Sequence, residues 1–110
     1  MAEPTLIEVF GAGATQTATT ITILKADLAM TAAAVNRGEQ ILAAIIKKAS
    51  LTMTQAAFDA DVTRSISIVP AYDSLVYRTN GTGQETLLQT PVTIGFHQIQ
   101  ASGGINPDNY

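Results

Sequence analysis

The sequence contains no cysteine and no tryptophan, has a single histidine, and is only 14% charged. Without cysteine there is no disulfide framework, no thiolate zinc site and no cysteine nucleophile. One histidine excludes the paired-imidazole metal motif His-x-x-x-His. Three tyrosines and three phenylalanines leave few aromatic platforms for a sugar. The six basic residues, Lys25, Arg37, Lys47, Lys48, Arg64 and Arg78, are scattered, and the formal charge is −3. A nucleic-acid partner is not expected, because such binding draws its affinity from neutralised phosphates. An anionic membrane surface is not expected either. The longest strongly apolar stretch, residues 41–46, falls far short of the ~20 residues of a membrane span. The opening Met1-Ala2-Glu3-Pro4 puts an acid and a proline where a signal peptide would have bases. A soluble, unprocessed, cytoplasmic chain is the expectation.

What is present is apolar and hydroxyl-rich. At 110 residues and 46% hydrophobic content, one domain over residues 1–110 is expected, able to bury roughly 60–70% of its unfolded surface. Ordinary domains carry about 25% charge. Here fifteen threonines and seven glutamines supply much of the polar surface, and a neutral exterior of this kind tolerates close contact with copies of itself.

Periodicity predicts an α+β fold: a mostly antiparallel sheet with one principal helix and one short helix packed on one face. Residues 5–10 (TLIEVF) and 19–24 (TTITIL) have strand character, the latter with period-2 alternation. Residues 27–35 have helix-permissive composition without a defined stripe. Asn36 with Glu39 matches a capping box and opens the principal helix, about 36–49, with Ile41, Ala44, Ile45 and Lys48 on one face. Thr52 with Gln55 repeats the signature for a short helix, about 52–59, with Leu51 and Phe58 packing inward. Strands are predicted near 63–69, 74–78, 86–90 and 92–100, with Asn80-Gly81 as a hairpin turn. Val92, Ile94 and Phe96 share one face of the last strand, and His97 lies on the other with Thr93 and Gly95.

Candidate chemistry is sparse. Gly11-Ala12-Gly13-Ala14-Thr15 follows a predicted strand, but a phosphate loop must open a helix and needs its lysine. Here the chain runs on into a strand, so the segment reads as a connector or edge turn. His97 has no nucleophile or acid at motif spacing and reads as an exposed sheet histidine. Asp59 and Asp61 cannot complete an oxygen cage for Ca²⁺, and read as a helix end with Arg64 as ion-pair partner. Asn80-Gly81-Thr82 matches a glycosylation sequon but reads as a turn. No catalytic, cofactor-binding or metal-binding residue is assigned, no cofactor is expected, and an enzyme is not expected.

The Thr/Ala-rich opening GAGATQTATTITI, the low charge, the scarcity of His and Cys and the glycine-punctuated tail ASGGINPDNY resemble the small structural proteins of tailed phages, such as head decoration, neck or tail components. The resemblance is one of general character over the whole chain. It implies a non-enzymatic assembly role in a virion, made in the host cytoplasm. The partners it implies are copies of the chain and other virion proteins, met through Ile/Val/Thr strands and the termini, with no small-molecule substrate. The alternative is a small cytosolic module that binds a peptide or ligand through an open sheet face or edge.

Overall fold

The computed structural model describes residues 3–98 and 104–110. Within them the chain is α+β, and every strand pairing is antiparallel. The helices are α1 (Leu6–Phe10), α2 (Gly38–Ser50) and α3 (Gln55–Ala60). The strands are β1 (Thr15–Gln16), β2 (Ile21–Thr22), β3 (Ile66–Pro70), β4 (Ser74–Asn80), β5 (Gly83–Gln89) and β6 (Val92–Phe96). They form three two-stranded sheets, β1–β2, β3–β6 and β4–β5, in place of a single continuous one.

Residues 5–10, expected as a strand, form α1. The reason is a capping box at its first turn: Thr5 Oγ1 accepts from the Glu8 N–H at 3.2 Å, and Glu8 Oε1 accepts from the Thr5 N–H at 3.3 Å. Two orphan donors are satisfied reciprocally, which outweighs the β-leaning Ile-x-Val composition. The β-character of residues 19–24 survives only as the two-residue β2, which pairs with β1 through a turn in which the Thr17 N–H donates to the Thr20 carbonyl. Residues 27–35 hold no α-helix. A single 3-10 turn at Lys25–Asp27 precedes an irregular, largely exposed run, since no apolar stripe was available to stabilise a helix by packing.

The principal helix begins at Gly38, and Asn36 is not its cap. The Asn36 side chain is committed to the preceding loop, accepting from the Ala33 N–H and donating to the Thr31 carbonyl and Gln40 Oε1. Such local bonds compete with capping. The predicted inward face is otherwise as expected: Ala44 is buried, and Ile41, Ile45 and Lys48 are half-buried. The short helix is capped by Thr54 rather than Thr52, with Thr54 Oγ1 accepting from the Ala57 N–H at 3.1 Å. Thr52 instead donates through its hydroxyl to the Glu8 carbonyl, tying α1 to the end of α2. Leu51 is exposed, while Phe58 packs inward.

The four strands of the second half make one long two-stranded ribbon. β3 and β6 pair from Ile66↔Phe96 to Pro70↔Val92, the Ala71 N–H donates to the Pro91 carbonyl, and β4 and β5 continue from Ser74↔Gln89 to Asn80↔Gly83. The register shifts by one residue between the halves, where the prolines remove ladder donors. The turn is the two-residue Gly81–Thr82 with positive φ at Gly81 (63°), the II′ pattern of right-twisting hairpins. It sits one residue later than an Asn-Gly turn would. The last predicted strand ends at Phe96 in the structure, and its residues 99–100 lie outside the described residues.

α1 packs on α2, and α2 and α3 both pack against β3. The Met53 carbonyl accepts from the Ile68 N–H at 2.7 Å on the outer side of β3. The buried apolar residues among those described are Ala14, Leu28, Ala44, Ala49 and Ile68. Three of the five are alanines, so the interior is small.

Candidate functional site

Two apolar features dominate the molecule. The first is a cleft of about 430 Å³ between the helices and the inner face of the β3–β6 sheet. Alternation on the strands sends Ile66, Ile68, Ile94 and Phe96 to one side, where they meet Phe10 of α1 and Ile45 and Ile46 of α2. Tyr110 also lines the cleft, its ring edge-on to Phe96 with centroids 5.5 Å apart. The second is the β4–β5 hairpin. Its Leu75 and Leu88 are direct cross-strand partners with Tyr77 next along the same face, and the three are 64%, 66% and 69% exposed. On the opposite face Arg78 bonds Glu85 across the ladder, and Asn80 donates to the same carboxylate. The hairpin charges are therefore neutralised internally.

The residues singled out for chemistry are each tied into the fold. His97 is on the Thr93/Gly95 side and exposed, as expected. Its Nε2 lies 3.2 Å from Ser67 Oγ, and its ring is tilted onto Phe58 with centroids 4.2 Å apart. Gly95 makes this contact fit: a Cβ there would meet His97 Nε2 at 2.7 Å and Ser67 Oγ at 3.0 Å. Ser67 is only 3% exposed. The pair acts as a latch holding the end of β6 to β3 and α3.

Asp59 and Asp61 do not converge. Asp59 accepts from the Gln55 side chain along α3. Asp61 is buried and accepts from both the hydroxyl (2.7 Å) and the N–H (3.0 Å) of Thr63, with Arg64 3.9 Å away. The Thr63 hydroxyl and then its N–H hold the Asp61 carboxyl below its ordinary value, against the opposing effect of burial, with Arg64 assisting. Arg64 also donates to the Thr52 carbonyl at 3.0 Å, so the pair fixes the turn between α3 and β3.

The glycine loop cradles an anion of the chain itself. The Gly13 N–H donates to Asp27 Oδ2 at 2.7 Å. Gly11, at φ 115° and ψ 161°, ends α1 with its N–H on the Ile7 carbonyl. A Cβ on Gly11 would run into Asp27, and one on Gly13 into Leu24. The segment is a close-packed turn rather than a loose connector, and its backbone donor is already engaged.

Among the described residues no three His, Asp or Glu side chains come together to hold a metal ion, and no helix is long and apolar enough to cross a membrane. The sequence reasoning missed both apolar features. The hairpin face was legible in SLVYR and TLLQ flanking Asn80-Gly81, but the cleft depends on α1, which composition disguised as a strand. No protein-family model matches the chain, and neither curated proteins nor solved structures return a match.

Proposed function

We propose that the chain is a non-enzymatic structural protein that works as one subunit of an assembly of its own copies, of the kind that builds tailed-phage virions. The observation that carries this reading is surface left uncovered. The accessible surface is 8181 Å², against about 5,800 Å² for an average folded chain of 11.5 kDa. The radius of gyration is 16.9 Å, where a compact chain of this length has about 13 Å. An isolated subunit thus exposes about 2,400 Å² more than a self-sufficient domain would. Large apolar side chains are among the exposed residues, including Val35, Val62, Leu75 and Leu88. Large exposed apolar patches mark interaction surfaces, and the low charge density leaves little to oppose self-association.

Light scattering on the purified protein over a wide concentration range tests the proposal. The expected mass is a defined multiple of 11.5 kDa. A monomer at every concentration would refute it. One observation favours a second reading, a peptide- or ligand-binding module: the apolar cleft has the size of a small-ligand site. That reading requires a stable monomer that takes an apolar ligand into the cleft.

A further inference from the structure

The β4–β5 hairpin has the form of an arm. Its seven-residue strands reach about 23 Å at ~3.3 Å per residue, and among the described elements no helix packs along it. Both outer edges of the β4–β5 sheet are unpaired, and a lone two-stranded hairpin is marginal in water. The arm continues the same ribbon whose other half, β3–β6, forms one wall of the apolar cleft. It therefore leads away from its own cleft and could fill it only by breaking the ribbon at residues 71–73.

We infer that this arm is an exchange element. It lies on a second copy of the chain, with Leu75, Tyr77 and Leu88 seated against that copy's cleft. The inference rests on the assembly reading above and assigns its contact surface. A second copy is the occupant the areas favour. A standard interface takes about 800 Å² from each partner, and the subunit leaves about three times that amount uncovered relative to an average fold. Each copy also carries both halves of the contact: an apolar face without a cover and an apolar cleft without a filling. The Arg78–Glu85 pair points to the other side of the arm, so the arm itself brings no charge into the contact. A reciprocal exchange between two copies and a ring passing arms in one direction both satisfy this geometry.

Two experiments test the exchange in the full chain. Leu75 and Leu88 are mostly exposed in the single subunit, so the double variant Leu75→Ser/Leu88→Ser removes from the subunit's own packing only their mutual cross-strand contact. It is expected to weaken assembly by about 100-fold or more, since burial of each leucine is worth at least about tenfold. The absence of native cysteine permits the second experiment. Subunits carrying Leu88→Cys are mixed with subunits carrying Ile46→Cys in the cleft, or Val62→Cys on the exposed turn after α3, and oxidised. Disulfide-linked pairs are expected for Ile46→Cys well above Val62→Cys. A wild-type assembly that the double-serine variant leaves unchanged overturns the arm and spares the assembly reading. Equal linkage to both cysteines overturns the seating in the cleft. A wild-type monomer overturns both readings and leaves the arm's face to a partner of another sequence.

Discussion

Replacing Gly11 by alanine imposes two costs at one place. The backbone there has φ 115° and ψ 161°, a region essentially restricted to glycine, where a side chain costs about 1–3 kcal/mol. The added Cβ also runs into Asp27, whose carboxylate accepts the Gly13 N–H. Hydrogen bonds to a charged group are worth about 1.5–3 kcal/mol, and this one, only partly buried, belongs near the lower end. The sum is a destabilisation of about 3 kcal/mol. Gly38 supplies the opposite control: it opens α2, and nothing lies within 4 Å of a Cβ placed on it. Gly38→Ala should therefore gain about 0.4–1 kcal/mol by restricting the unfolded chain. Thermal unfolding, with all variants at one protein concentration because association shifts the midpoint, reads both. At roughly 4 °C or more per kcal/mol, Gly11→Ala should lower the midpoint by about 12 °C or more and Gly38→Ala should raise it by a few degrees. A Gly11→Ala protein within about 0.5 kcal/mol of wild type, the range of an ordinary surface change, would refute the account of the loop.

Asp61 predicts an acid-sensitive fold. Its folded carboxyl titrates below the unfolded value of about 3.9, so its contribution is present above that range and is lost as pH falls from about 5 through the folded value. Asp61→Asn should flatten this acid limb in urea unfolding followed from pH 6 to pH 3, and an unchanged slope would count against the Thr63 contacts as its cause. Ile68, only 5% exposed on the cleft side of β3, should cost about 2–5 kcal/mol as Ile68→Ala, the range for truncating a buried isoleucine. Val69→Ala, at an exposed position on the opposite side, should cost under about 1 kcal/mol, and equal losses in denaturant titration would contradict the assigned faces.

Elements with a strong local signal were legible. The α2 stripe of Ile41, Ala44 and Ile45 and the alternation of Ile66 and Ile68 lie where periodicity put them, because each side chain needs only one apolar face to settle its direction. The failures were competitions between local signals. Thr5-x-x-Glu8 is a capping box as clear as any in the chain, yet five residues are too few to display helical periodicity, and TLIEVF read as a strand. Asn36 had the right residue type for a cap but better partners in its own loop. For the candidate site the limit is of another kind. Nothing local says that β4–β5 stands clear of the helices, because that depends on where Pro70 and Pro91 interrupt the ribbon. The Asp27 carboxylate in the glycine loop is fourteen residues from its partner, beyond any short-range pattern.

The composition and the shape bear on each other through the cost of desolvation. Burying a hydroxyl that lacks a new partner costs about 1–3 kcal/mol, while an unpaired charge costs far more. A surface dressed with threonine can therefore be covered by a neighbouring subunit at a cost that a lysine- or glutamate-rich surface could not meet. An ordinary monomer gains nothing from this economy in charge and loses solubility by it. The chain nonetheless combines 14% charge with fifteen threonines, and among the described residues three of the five buried apolar ones are alanines. Alanine contributes little transfer energy per residue, and apart from Leu28 and Ile68 the larger apolar side chains among the described residues are half-buried or exposed, several of them in the cleft and along the arm. That distribution is costly in a chain that stays alone and favourable in one whose copies cover each other.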